Sequence, residues 1–188
     1  MKKLILASNS PRRKELLAKA GYTFSVIPSE YDEKAFSTDP YLTAETFALG
    51  KAKDVFGNLS DKKGTVVLGA DTIIFSEGKI LGKPASKDGA REMLLSLSGK
   101  VHEVITGYAV VSDGDIKSGY FITKVTFNEL SEEVLTAYLD SMLWKGKSGS
   151  YGIQDGYPLV KSYVGSVNNV MGLPIELISD LIDKSLSE

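Results

Sequence analysis

Apolar residues occur along this chain in short runs, and these runs alternate with stretches that carry helix start and stop signals. The first run, residues 4–7, is typical of a buried strand. Ser10-Pro11 then predicts a helix N-cap and first turn, and Gly21 predicts the end of that helix. Residues 22–27 predict a second strand, and Asp39-Pro40 repeats the start signal for a helix that reaches about residue 56.

The rest of the chain continues this alternation, and its order of helices and strands predicts a mixed α/β sheet. Any parallel strands in that sheet would place a ligand crevice at their carboxyl ends. The elements predicted after residue 64 are a strand over residues 65–70 that ends at Asp71-Thr72, a hairpin over 73–81 that turns near Glu77-Gly78, a helix from Ser86 to residue 97, two joined strands over 101–111 and 116–127, a helix from Ser131 through residue 143, a strand over 159–164 and a helix from Pro174 to about residue 184.

Composition narrows the classes of function. The 188 residues suit one α/β domain or two small lobes that share a cleft. The chain has no cysteine and one histidine, His102, which excludes disulfides, thiolate catalysis and most zinc sites. Any metal is therefore expected to be a hard divalent cation, Mg²⁺ or Mn²⁺, held by carboxylates. A net charge of −2 gives no support for a nucleic-acid or membrane partner, and without a signal or membrane segment we expect the cytoplasm.

The turn after the first strand is the first candidate site. Ser8-Asn9-Ser10-Pro11-Arg12-Arg13 places two guanidinium groups at a helix N-terminus, where the helix dipole disfavours cations. A bound phosphate would offset that cost, because serine hydroxyls such as that of Ser8, backbone N–H groups and both arginines would bind the same anion. Alternatively, the arginines are solvent-exposed and pair with Glu15 or other acids, and the local sequence leaves both interpretations open.

Carboxylates from two segments form the second candidate site. Asp71 lies where an apolar strand is predicted to end, and Glu30, Asp32 and Glu33 lie in an acidic loop. Carboxylates from two segments could together hold a divalent cation, and one of them could also deprotonate water. The alternatives are that Asp71 caps a turn and that the acidic loop is simply solvated.

Two lysines and a glutamine complete the set. Lys51 falls within the apolar stripe of its predicted helix, so its ammonium either reaches a buried anion or extends past the stripe into water. Lys83, between Gly82 and Pro84, is either aimed at a ligand or part of a surface turn. Gln154 lies in a glycine-rich segment that suits a mobile loop. Its amide can also donate and accept at once, as reading a nucleobase edge requires.

The order of these motifs resembles that of the Maf family, first named for inhibition of septum formation, and the resemblance spans nearly the whole chain. It implies a single Maf-like domain over residues 1–188, with a mixed twisted sheet flanked by helices and two lobes around a central cleft, as in inosine triphosphate pyrophosphatases. The motifs are SNSPRRKELL at 8–17, Asp32-Glu33, FALGKAK at 47–53, GADT at 69–72, GKP at 82–84, LSGKVHEVITG at 97–107, GSYGIQ at 149–154 and VMGLP at 170–174.

The resemblance also implies an activity. Maf proteins hydrolyse nucleoside triphosphates to the monophosphate and pyrophosphate, and the ADT and YGIQ motifs are similar to those of the branch that acts on dTTP and UTP, including modified pyrimidines. The family admits a homodimer. By position, Asp71 would be the catalytic acid/base, and Glu33 would help it hold the metal. Nucleotide choice would be set by Arg12, Thr72 and Gln154, and phosphates would be bound by Arg13, Lys51 and Lys83.

Two other functions are compatible with parts of this pattern. A nucleotide-sensing regulator of cell division would need the cations but not two carboxylates aimed at a metal. A nucleotidyltransferase would use the same groups but would link the nucleotide monophosphate to an acceptor. The presence of both Glu33 and Asp71 favours an enzyme over the regulator.

Overall fold

The computed structural model describes residues 2–34 and 39–187, which form one mixed sheet with helices on both faces. The predicted α/β class is therefore confirmed. The strands are β1 (Lys3–Leu6), β2 (Phe24–Val26), β3 (Thr65–Ser76), β4 (Lys79–Leu81), β5 (Val101–Ser112), β6 (Asp115–Phe127) and β7 (Val160–Val164). The helices are α1 (Pro11–Lys19), α2 (Pro40–Gly57), α3 (Lys87–Leu97), α4 (Glu132–Asp140), α5 (Val167–Met171) and α6 (Ile175–Ser187).

The sheet is interrupted on one side of its third strand. The strand order is β2-β1-β3-β5-β6-β7, with β4 also paired to β3. β1 pairs in parallel with residues 65–68 of β3, and β4 pairs antiparallel with residues 74–76. Within the described residues, positions 69–73 of β3 therefore have a neighbouring strand, β5, on one side only. We call this interruption the sheet gap.

Two hydrophobic cores lie on either side of the sheet gap. In the first core, α1 and α6 pack on β1 and the first half of β3, with Leu17 and Leu68 fully buried. In the second core, α3 and α4 pack on the second half of β3, the first half of β5 and the end of β6, with Leu94 and Tyr138 fully buried. These cores give the chain two lobes that share its long strands. That a central cleft lies between the lobes stays a prediction.

Helix α2 covers the other face of the sheet at very short range. A Cβ atom on Gly69 would lie 2.2 Å from the carbonyl oxygen of Ala48, and one on Gly107 would lie 2.0 Å from that of Ala44. Only glycine permits this approach. Because alternate strand residues share a face, Asp71 points to the same side as Gly69 and therefore towards α2.

Several predicted element boundaries agree with the structure. Pro11 and Pro40 open their helices, and Asp39 caps α2 by accepting hydrogen bonds from the backbone N–H groups of Tyr41 and Leu42. The hairpin turns at Glu77-Gly78 as expected. No helix in the described part of the chain has both the length and the apolar character needed to cross a bilayer.

Three predictions about elements are wrong. β3 does not end at Asp71, because Asp71 and Thr72 pair with Gly107 and Thr106 of β5, and this ladder outweighs their preference for turns. The fourth helix ends at Asp140 instead of reaching residue 143. Helix α5 was not predicted, and it is capped by the Ser166 side chain, which accepts a hydrogen bond from the Asn169 N–H.

Candidate active site

Arg13 lies beside the sheet gap because the turn after β1 leads directly into α1. Its side chain is buried, and all of its partners are neutral. Nε donates to the Gly172 carbonyl at 2.8 Å, Nη1 to Ser8 Oγ at 3.2 Å and Nη2 to Thr72 Oγ1 at 3.0 Å. Burial lowers the pKa of the guanidinium, and the Asp71 carboxylate offsets part of that effect. The charge stays in place, since arginine is not deprotonated in proteins.

Thr72 belongs to a chain of hydrogen bonds that continues from Arg13 into the sheet. Thr106 Oγ1 donates to the Asn169 carbonyl at 2.8 Å, so the contact of 3.0 Å between the two threonine hydroxyls is donated by Thr72. Thr72 thus accepts from Arg13 and donates to Thr106. This series fixes the Thr72 hydroxyl on the face of β3 opposite Asp71.

Asp71 meets Lys51 and Glu33 on the α2 face of the sheet gap. Lys51 Nζ lies 2.6 Å from Asp71 Oδ1 and 2.6 Å from Glu33 Oε1. The side chains of Lys51 and Asp71 are largely buried, and that of Glu33 is exposed. Lys51 therefore reaches a buried anion, which is the first of the two alternatives its sequence position left open.

The loop that carries Glu33 is docked onto α2. The Asp54 carboxylate accepts hydrogen bonds from Ser29 Oγ at 2.7 Å and from the Glu30 N–H at 2.8 Å. The Tyr31 ring covers Gly50, where a Cβ atom would lie 2.4 Å from the ring. The glycine that precedes Lys51 thus makes room for the aromatic anchor of the acidic loop.

Three further candidate residues contact neither Asp71 nor Arg13 directly. Arg12 is half-buried and makes no hydrogen bond to the described residues; burial lowers its pKa, and the Asp155 carboxylate offsets part of that effect. Lys83 is exposed and has no ion pair within residues 2–34 and 39–187. The Gly149 N–H donates to the Gly82 carbonyl at 3.0 Å, which places the lysine's segment beside the glycine-rich loop of Gln154.

Comparison with known proteins identifies the family. A sequence model described as "Maf-like protein" matches residues 3–185. Proteins named "dTTP/UTP pyrophosphatase" are similar over most of their length: 46% identical in Pyrococcus furiosus (97% of this chain, 95% of the relative), 48% in Bacillus cereus strain G9842 (93% and 91%) and 41% in Thermococcus onnurineus (93% and 94%). The chain belongs to the Maf family. The resemblance predicted from its motif order is confirmed.

The structure gathers most of the Maf motif residues around one short stretch of β3. Asp71 joins Lys51 and Glu33 on one face, while Thr72 joins Arg13 and Ser8 on the other. Arg13 is buried, and Glu15 pairs with Lys19 instead, so an exposed arginine paired with Glu15 is the wrong interpretation for Arg13.

The donor set suits a hard cation that is also bound by substrate. The described residues contain no cluster of three or more side chains of the types that bind metals. Mg²⁺ nevertheless commonly binds through one or two carboxylates together with phosphates and water. Asp71 and Glu33 provide two such carboxylates beside a single ammonium, and each has a second oxygen outside its Lys51 contact.

A second group of charged residues in the Maf fold was missed by the sequence reasoning. Lys147 forms a buried ion pair with Asp155, and the hydroxyl of Tyr138 donates to the same carboxylate at 2.7 Å. Asp155 directly follows Gln154, and that adjacency was the only feature of the sequence that could have indicated a role for Asp155. Nothing in the local sequence links either residue to Tyr138, which lies in α4.

Proposed function

We propose that this chain is a nucleoside triphosphate pyrophosphatase that hydrolyses dTTP and UTP, including modified pyrimidine nucleotides, to the monophosphate and pyrophosphate. Relatives that are 41–48% identical carry the name of that activity. The observation that carries the proposal is the position of Asp71. Its carboxylate is in contact with Lys51 at the sheet gap, and the next residue, Thr72, contacts the guanidinium of Arg13.

Asp71 is the proton acceptor in this proposal. The oxygen of a water molecule attacks and bonds to the α-phosphorus, the bond from that phosphorus to the oxygen shared with the β-phosphate breaks, and the proton of the water passes to the Asp71 carboxylate. Pyrophosphate departs with the electrons of the broken bond. A positioned general base of this kind contributes about 10²- to 10⁴-fold to a rate.

The cations stabilise the charge that develops on the phosphates. Arg13 is fixed by three neutral acceptors before substrate arrives, so its charge needs no reorganisation during the reaction. Lys51 and Lys83 bind further phosphate oxygens, and Ser8 binds the same anion through its hydroxyl. Arg12, Thr72 and Gln154 select the nucleotide.

Asp71 and Glu33 would hold the divalent cation, Mg²⁺ or Mn²⁺. Such an ion polarises a phosphoryl oxygen and lowers the pKa of a water molecule bound to it. Glu33 comes from a loop that is anchored to α2 by Asp54, so its carboxylate reaches the site from outside the sheet.

The test is pyrophosphate release from dTTP, UTP, dCTP, dATP and dGTP, with Mg²⁺ and with a chelator. Replacing Asp71→Asn is expected to lower kcat by about 10³-fold while unfolding stays cooperative. Asp61→Asn, at an exposed aspartate of the α2–β3 loop, is the matched control and keeps full activity. Full turnover by the Asp71 variant contradicts the assigned role.

The same assay separates the other two functions. Nucleotide binding without release of pyrophosphate would indicate a non-catalytic regulator of cell division. A product in which the nucleotide monophosphate is joined to an acceptor would indicate a nucleotidyltransferase.

A further inference from the structure

A buried ion pair closes the glycine-rich loop that carries Gln154. Lys147 Nζ contacts both carboxylate oxygens of Asp155, with 2.5 Å to Oδ1. Tyr138 of α4 donates its hydroxyl to Asp155 Oδ2 at 2.7 Å. One carboxylate therefore joins the start of the loop, its end and a neighbouring helix. Burial raises the pKa of the Tyr138 hydroxyl, so it remains a donor at neutral pH.

The ion pair and the Gln154 amide converge on one glycine. A Cβ atom on Gly152 would lie 2.7 Å from Asp155 Oδ1, 2.8 Å from Lys147 Nζ and 2.8 Å from Gln154 Nε2. These three side-chain ends therefore lie together over the Gly152 backbone. Any larger residue at that position would displace the amide, the ion pair or both.

Asp155 also connects the loop with Arg12. Its carboxylate is the leading favourable charge acting on the Arg12 guanidinium, and Lys147 is the second cation near it. The Arg12 guanidinium forms no hydrogen bond with the described residues. The negative charge of Asp155 thus acts favourably on the Arg12 guanidinium as well as on Lys147.

A glutamine amide alone does not distinguish uracil from cytosine. Uracil and thymine present an acceptor at O4 beside a donor at N3, whereas cytosine presents a donor at N4 beside an acceptor at N3. A carboxamide matches either pair after a half-turn about its terminal bond, because it carries one acceptor and one donor group. Selection of a 4-oxo pyrimidine therefore requires neighbours that fix the orientation of the amide.

We propose that Lys147, Asp155 and Tyr138 are positioning residues that hold Gln154 in the arrangement that selects a 4-oxo over a 4-amino pyrimidine. This inference rests on the proposed function, which assigns base selection to Gln154 among other side chains. The proposal gives these three residues no contact with the phosphates or with the attacking water. Their effect is therefore expected in the relative use of substrates.

Two variants test the inference without removing a charge. Gly152→Ala keeps every polar group but places a methyl group among the three side-chain ends, and Tyr138→Phe removes one hydroxyl. The matched controls are Gly57→Ala, where a Cβ atom meets no atom within 4 Å, and Tyr157→Phe, whose ring packs against that of Tyr138 at 5.1 Å. The measurement is kcat/KM for dTTP and for dCTP by pyrophosphate release, with thermal unfolding of each variant.

The wild-type protein is expected to prefer dTTP. Gly152→Ala should lower the ratio of kcat/KM for dTTP over dCTP about tenfold, which is the discrimination carried by one good base contact. Tyr138→Phe should lower it several-fold, and the loss for dTTP should fall mainly on KM. Both controls should keep the wild-type ratio.

Each remaining outcome contradicts the proposal. If both variants fold and keep the ratio of kcat/KM for dTTP over dCTP within twofold of wild type, the cluster has only a structural role. The same conclusion follows if neither variant folds. A wild type that uses dTTP and dCTP equally would overturn this inference but leave the pyrophosphatase in place. A wild type that releases no pyrophosphate from any triphosphate would overturn the proposed function itself.

Discussion

Lys51 and Lys147 have similarly small exposed fractions, 13% and 9% of their side chains, but their counter-charges are arranged differently. Lys51 is shared by Asp71 and by Glu33, which comes from a separate loop and is 42% exposed. The one carboxylate that binds Lys147, that of Asp155, is 5% exposed and is also bound by Tyr138. A lysine with one exposed partner can exchange that partner for a substrate phosphate, whereas an enclosed pair maintains the shape of its surroundings.

The open group (Lys51, Asp71 and Glu33) and the enclosed group (Lys147, Asp155 and Tyr138) also differ in charge balance. Lys51 with its two carboxylates carries one excess negative charge, while Lys147 with Asp155 is neutral. The first group is therefore suited to accept a further cation. The second group is complete, so replacing one member leaves a buried charge without a partner.

The largest expected effect is on activity, at the open group. Lys51→Met should lower kcat/KM for dTTP by about 10³-fold, because one fixed charge at the phosphates contributes roughly 3–4 kcal/mol to the transition state. The free energy of unfolding should also fall, by about 3 kcal/mol, because the Asp71 carboxylate stays largely buried without its cation. Steady-state kinetics and urea unfolding measure the two quantities. Unchanged kinetics would mean that Lys51 serves the fold alone.

The enclosed group should respond mainly in stability. Lys147→Met is expected to reduce the free energy of unfolding by about 3–5 kcal/mol, because Asp155 stays buried without its cation. Adding Asp155→Leu to the same chain should recover most of that loss, since an apolar pair needs no counter-charge. Urea unfolding of the single and double variants checks this prediction. Equal stability of the single variant and the wild type would contradict it.

Acid should weaken the loop of the enclosed group through His102. His102 Nε2 lies 2.7 Å from the hydroxyl of Tyr151, and burial lowers the histidine pKa to about 4 from an ordinary value of 6.5. Between pH 4 and pH 6.5 the unfolded chain therefore binds more protons at this histidine than the folded chain does. The free energy of unfolding falls as the pH drops through that range, by roughly 3 kcal/mol in total.

The control for this pH effect is His102→Gln, which keeps a hydrogen-bonding group for Tyr151 but does not titrate. Urea unfolding at pH 7 and pH 4.5 should show a smaller loss for this variant than for the wild type. If the wild type and the variant lose the same free energy of unfolding, the acid sensitivity comes from carboxylates and not from His102.

The smallest expected effect is at the exposed member of the open group. Glu33→Gln should change the free energy of unfolding by less than about 1 kcal/mol, because exposed ion pairs contribute little. The Mg²⁺ concentration for half-maximal pyrophosphate release should rise roughly tenfold. Glu30→Gln, in the same loop, is the control and should leave the metal requirement unchanged. An unaltered metal requirement in the Glu33 variant would exclude that residue as a ligand.

Local signals predicted much of the fold, and contacts distant in sequence explain the errors. Pro11 and Pro40 mark helix starts through their own backbone chemistry, so those elements were found. Asp71 was placed at a strand end because its turn preference is local, while its ladder partner Gly107 is distant in sequence. The site shows the same division. Periodicity placed Lys51 in an apolar stripe, but only the packed structure shows that its ammonium meets Asp71.

The two lobes are joined by paired strands and not by a flexible linker. β3 and β5 run through both, and their ladder extends without interruption from the pair Val66–Ser112 to the pair Phe75–Glu103. Any movement of the two lobes towards one another would therefore bend this ribbon. The stiffness of its backbone hydrogen-bond ladder limits how far the lobes can approach one another.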